Sequence, residues 1–278
     1  MKQSEFDWVT QDGLKIYARV WEPEQKAKGI ICLIHGLGEH SGRYEHVAKF
    51  FTHRGYIQAA FDLRGHGKSG GQRGFSASWD TLLDDMSHFL DEIRARYAGL
   101  PVFLYGHSLG GTLVVSYGMQ RKPSLAGVVS TGPLFKVAFE PPAWKLSLAK
   151  MMAHTLPSFA LSNEIDPMVL SRDPQVGKAY AADPLVHDRF SARLATDLFA
   201  EGERTLLHAA EFPLPLLIMH GGADRLTSVE ASRVFAQRLG ERCTLKVWEG
   251  FFHEIHNETE QDQVFEFMLD WLDRHIAD

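Results

Sequence analysis

A chain of 278 residues, 45% hydrophobic and 23% charged, has an ordinary globular balance and can bury the core of one large α/β domain or two small ones. Its net charge of −6, with lysines and arginines dispersed singly or in pairs, excludes the basic face that nucleic-acid binding requires. Only two cysteines occur, Cys32 and Cys243, each inside an apolar run. They read as small buried hydrophobes and exclude a disulfide framework.

The N-terminus, MKQSEFDWVT, carries no apolar leader, and no stretch approaches the ~18 apolar residues of a spanning helix. The expected setting is cytoplasmic. The chain opens as a hairpin: a run at 6–10, a Gln11-Asp12-Gly13 turn and the alternating LKIYARVW. GIICLIHG at 29–36 is a continuous apolar run of the kind buried on both faces of a parallel sheet. Helical spacing of Tyr44, Val47, Ala48 and Phe51 follows, closed by Gly55, and then a second buried strand, YIQAAFD, ends at Asp62.

The loop RGHGKSGGQRG at 64–74 leads to a strong helix with Ser78 as its cap and Leu82, Leu83, Met86, Phe89, Leu90, Ile93 and Tyr97 on its apolar face. A strand at 101–107, a helix stopped by Pro123 and the strand LAGVVSTG at 125–132 continue the alternation. From Pro133 to about Glu211 the rhythm breaks into short helical pieces with no clear strand. It resumes with LPLLIMHGGAD at 214–224, a helix at 228–239, the strand TLKVWEG and an amphipathic helix over 261–277. Alternation of this kind predicts a mostly parallel sheet with helices on both faces, binding its ligand at the carboxyl ends of the strands. Residues 1–132 and 212–278 read as the core, and 133–211, too long for a plain loop, as a helical cap inserted over those ends.

The chemistry gathers at the same strand ends. Gly106-His107-Ser108-Leu109-Gly110 fits G-x-S-x-G, a turn from strand to helix that lifts a serine hydroxyl above the sheet while glycines relieve the crowding. A serine hydroxyl needs a base, and the base needs an orienting acid. In the chain order that accompanies this turn, Asp224 ends a later strand and His253 follows the next. Main-chain N–H groups of Leu37, in His35-Gly36-Leu37-Gly38, and of Leu109 occupy the two positions of an oxyanion hole. HEIH at 253–256 invites a metal reading, but H-E-x-x-H would need histidine where Asn257 stands. No metal or organic cofactor is expected. Asp62, Arg64 and His66 follow a strand without the glycine pattern and read as a structural loop.

Five segments carry a resemblance: HGLGEHSGRY at 35–44, DLRGHGKSGG at 62–71, GHSLGG at 106–111, GGADRL at 221–226 and FFHEIHNE at 251–258. Together they resemble the monoacylglycerol lipase and lysophospholipase branch of the serine α/β-hydrolases. Within the cap only SRDPQVGKAYAADPLVH at 171–187 is similar to bacterial members. The resemblance implies an α/β-hydrolase fold and hydrolysis of an ester between a fatty acid and glycerol. It also implies that Glu39, Arg43, His107 and His256 hold the free hydroxyls of the alcohol. Lysophospholipase or broad carboxylesterase activity is the alternative, and a non-catalytic binder should lack a member of the serine, acid and histidine set. The apolar cap (Trp144, Leu146, Leu148, Met151, Met152, Leu156, Phe159) is expected to line the acyl site and to touch membrane or micelle surfaces.

Overall fold

The computed structural model describes residues 1–139 and 142–276, with the side chains of Ala143 and Leu146 outside the described set. Eight strands form one sheet: β1 (Lys2–Val9), β2 (Lys15–Glu22), β3 (Gly29–Ile34), β4 (Tyr56–Phe61), β5 (Val102–His107), β6 (Gly127–Thr131), β9 (Leu216–Gly221) and β10 (Cys243–Trp248). They lie in the order β1-β2-β4-β3-β5-β6-β9-β10. The pairings β1–β2 and β2–β4 are antiparallel and all others parallel. The helices that cover it are α1 (Glu45–His53), α2 (Trp79–Arg96), α3 (Leu109–Arg121), α7 (Val229–Leu239) and α8 (Gln261–Arg274).

The apolar runs of β3, β4 and β5, broken only by Gln58 in β4, are explained by burial on both faces. Ile30, Cys32 and Ile34 point into one apolar cluster with α2, α3 and α7; Ile31 and Leu33 point into another with α1 and α8. Ser78 accepts from Thr81 N–H and caps α2, as its position predicts. Cys243 departs from expectation: it starts the edge strand β10 and is half-buried, whereas Cys32 is fully enclosed.

Between β6 and β9 run α4 (Ala143–Thr155), β7 (Ala160–Ser162), α5 (Pro174–Ala182), β8 (Arg189–Ser191) and α6 (Ala192–Leu207). The antiparallel pair β7–β8 corrects the reading of this segment as strandless. Three residues per strand are too few to establish an alternating pattern. α6 packs on α3 and sends Leu194, Leu198 and Leu206 into the same cluster as α2 and α7. The inserted segment is thus rooted in the main core along one helix. Its later part is also tied to the loops at the sheet edge: His187 N–H donates to Gly38 O at 2.9 Å, His187 Nε2 to Gly65 O at 3.0 Å, and Ser191 N–H to Gly74 O at 3.0 Å. His40 Nε2 meets Asp183 Oδ2 at 3.0 Å.

Candidate active site

β5 and α3 meet at Ser108, whose backbone stands at φ 54° and ψ −114°, a left-handed conformation costly for any residue with a Cβ. The neighbouring glycines are required by space. A Cβ on Gly106 would fall on the Gly110 carbonyl, and one on Gly110 would fall on the Ile34 carbonyl oxygen. The strand can therefore turn directly into the helix only with glycine at both sites. Among the described residues the Ser108 hydroxyl has no hydrogen-bond partner; it opens, with His253, onto one cavity of about 590 Å³.

Asp224 follows β9 in an Asx turn, its Oδ1 accepting from Leu226 N–H at 2.7 Å and Thr227 N–H at 3.0 Å. Its Oδ2 lies 2.7 Å from His253 Nδ1 and accepts from Thr227 Oγ1 at 2.7 Å. Burial works against the carboxylate's charge, but the adjacent His253 and the hydrogen bonds from His220 and His253 hold its pKa well below the ordinary range. Burial likewise opposes the His253 imidazolium, yet the Asp224 charge and hydrogen bond outweigh it and leave the ring above its ordinary value. An imidazole in this setting can take a proton from a hydroxyl and hold it. Gly132, at the end of β6 with φ +51°, lies under the ring: a Cβ there would stand 3.2 Å from His253 Cε1 and Nδ1.

Leu37 and Leu109 both line the cavity, and neither main-chain N–H has an acceptor among the described residues. Leu109 is the first residue of α3, where helix N–H groups lack internal partners and attract negative charge. The turn carrying Leu37 is fixed by Glu39, whose Oε1 accepts from Gly36 N–H at 2.6 Å and from the Tyr44 hydroxyl at 2.7 Å.

The four residues expected around the alcohol divide into two pairs. Glu39 and His107 line the cavity; Arg43 and His256 stand behind its wall. Arg43 bridges Glu39 at 2.6 Å and both oxygens of Glu254 at 2.7 Å, and lies over the Tyr180 ring at 4.8 Å. Despite burial, Glu254 is held well below the ordinary carboxylate range by the Arg43 charge. His256 stacks on Tyr44 and meets the His107 ring edge-on, at ring separations of 4.8 and 4.7 Å, and burial pushes its pKa down to about 3.

Three contributors were not legible beforehand: Glu254, His220 and Thr227. Only Thr227 had a sequence signal, as the hydroxyl three residues beyond an Asx-turn aspartate. Asp62, Arg64 and His66 form the expected internal loop: Asp62 accepts from Ser41 and Lys68, Arg64 pairs with Asp85 and Asp12, and His66 Nδ1 meets Arg64 O. Of the apolar cap residues, Trp144, Leu148, Met152 and Phe159 line the cavity, whereas Met151 and Leu156 face solvent; the Leu146 side chain lies outside the described residues. Among the described residues, no three His, Cys, Asp or Glu side chains are grouped to hold a metal, and no helix is long and apolar enough to cross a membrane.

The family described as serine aminopeptidase S33 matches residues 25–260. A monoacylglycerol lipase of Mycolicibacterium smegmatis is 35% identical over 99% of this chain and 98% of its own length. An uncharacterised abhydrolase-domain protein of Dictyostelium discoideum is 37% identical over 99% of the chain, which spans only 30% of that relative. The crystal structure of Paleococcus ferrophilus monoacylglycerol lipase superposes with a TM-score of 0.84 at 34% identity, covering 99% of this chain and 100% of that one.

Proposed function

The chain belongs to the serine aminopeptidase S33 family of hydrolases, and on that premise we propose that it hydrolyses monoacylglycerols through an acyl-enzyme on Ser108. Its fold is the α/β-hydrolase fold, and 133–211 serve as the cap. His253 takes the Ser108 proton as Oγ attacks the ester carbonyl, while Asp224 fixes the ring tautomer and stabilises the imidazolium without taking the proton. The N–H groups of Leu37 and Leu109 hold the tetrahedral oxyanion. The C–O bond then breaks, glycerol leaves with the proton from His253, and water repeats the cycle to free the fatty acid. None of these steps calls for a metal or organic cofactor.

The observation that carries the proposal is the pairing of a left-handed serine with a carboxylate-bound imidazole on one largely apolar cavity. Apolar walls favour a fatty acyl chain at about 0.8 kcal/mol for each methylene buried, which favours a lipid ester over a short or charged one. Glu39 and His107 are the cavity residues available to the glycerol hydroxyls, with Arg43 and His256 supporting them from behind. The substrate arrives from a lipid surface: α4 leaves Trp144 64% and Met151 56% exposed, and this apolar face docks transiently on membrane or micelle. Free, unpaired Cys32 and Cys243 fit a cytoplasmic setting.

The test compares a monoacylglycerol, a lysophospholipid and a short nitrophenyl ester on one preparation, with fluorophosphonate labelling of Ser108. Monoacylglycerol should be hydrolysed fastest, and Ser108→Ala should lower kcat by about 10⁴–10⁶. A folded Ser108→Ala protein that keeps most of its activity removes this serine from the mechanism.

A further inference from the structure

Asp224 has a second imidazole on it. His220, in β9 and fully buried, places Nε2 3.1 Å from Asp224 Oδ2, the oxygen that also meets His253 Nδ1. The other ring nitrogen, Nδ1, lies 2.8 Å from the Ser232 hydroxyl on α7. An ionised carboxylate only accepts, so His220 carries its proton on Nε2 and Ser232 donates to Nδ1. Acyl transfer gives this ring no task. An imidazole in a closed interior must recover its lost hydration through such bonds, and both of its nitrogens are committed.

We propose that His220 is a positioning residue for the reaction: together with the Thr227 hydroxyl on the same oxygen, its Nε2–H fixes the Asp224 carboxylate and takes up part of the negative charge that acts on His253. The inference rests on the serine-hydrolase reading of Ser108, Asp224 and His253. Other charged or titratable groups facing His253 are Glu39 beyond β3, His107 at the end of β5, and Glu254 and His256 from its own loop. None of these touches Asp224. Loss of His220 therefore changes the field at His253 through Asp224. With one donor fewer, the carboxylate holds the imidazolium more firmly, and the neutral, active ring is reached only at higher pH.

The test is kcat/KM against pH for a soluble monoacylglycerol with wild type, His220→Leu, His220→Gln and Ser232→Ala. Wild type against a Ser108→Ala blank tests the serine-hydrolase reading separately; a wild type no faster than the blank ends that reading. For His220→Leu the expected result is an acid limb displaced upward by about half to one pH unit, kcat down about tenfold and KM within about twofold. Glutamine, whose amide supplies an N–H near the position of Nε2, should return the limb to the wild-type position. Ser232→Ala, which releases the tautomer, should move it upward by less. An acid limb in His220→Leu, or in Ser232→Ala should the former not fold, that coincides with wild type overturns the proposal. So does a glutamine variant shifted as far as the leucine variant.

Discussion

Ser108→Gly should be more stable than Ser108→Ala, although neither keeps the hydroxyl. The backbone at φ 54°, ψ −114° is a region that residues with a Cβ occupy at a cost of about 1–3 kcal/mol. Glycine removes that strain but adds about 0.4–1 kcal/mol of freedom to the unfolded chain. The difference favours glycine by up to roughly 2.5 kcal/mol. Alanine is the right reference because the serine hydroxyl neither caps α3 nor bonds elsewhere among the described residues, so its removal breaks nothing. At about 2 °C per kcal/mol for a chain of this size, scanning calorimetry should place the glycine variant higher by up to about 5 °C. A glycine variant that melts at or below the alanine variant would show that the elbow is not strained at this residue.

Arg43→Met should destabilise the fold by about 3–5 kcal/mol in urea titrations, because it leaves Glu39 and Glu254 buried without their cation. Glu254, buried and without the cation that holds its pKa down, would then titrate above the ordinary range, so the deficit should be largest near pH 8 and shrink as pH falls; a deficit independent of pH would refute this. In the wild type the His253 pKa is raised, against burial, chiefly by Asp224, and under the proposed mechanism the neutral ring is the active form. The kcat/KM profile should accordingly lose activity, as pH falls, from above the usual histidine value of about 6.5. Ala195→Phe, which fills part of the cavity beside α6, should lower kcat/KM for long acyl chains more than for short ones; equal losses across acyl lengths would place the chain elsewhere. Gly110→Ala puts a methyl group on the Ile34 carbonyl oxygen and 2.6 Å from that of His35, and should abolish soluble expression or cost more than about 3 kcal/mol.

Much of this was legible because the chemistry sits where strands end. GIICLIHG and VFLYGHS announce themselves as unbroken apolar runs that stop at a polar residue, YIQAAFD is interrupted only by the buried Gln58, and burial on both faces enforces that pattern. Ser108 and Asp224 are marked by the turns that follow, His253 by order along the chain. The charged support behind the cavity was not legible in the same way. Arg43 reaches Glu254 across 211 positions of sequence, and no local pattern reports such a pairing. His220 lies inside the apolar run LLIMHG and looks like any core histidine until Ser232 and Asp224 are seen on its two nitrogens. β7 and β8 escaped because their pairing depends on the cap folding back on itself, not on a hydrophobic face.

Ser108 hangs from β5 and Asp224 from β9, with β6 between them ending at Gly132. Two strand spacings, roughly 10 Å, therefore separate the two attachment points, a span set by main-chain hydrogen bonding rather than by any side chain. The sheet acts as a ruler for the two side chains, and the blank at position 132 is the notch in which the His253 imidazole rests. Changes in the segment between β6 and β9 can thus leave the spacing of Ser108 and Asp224 as it is.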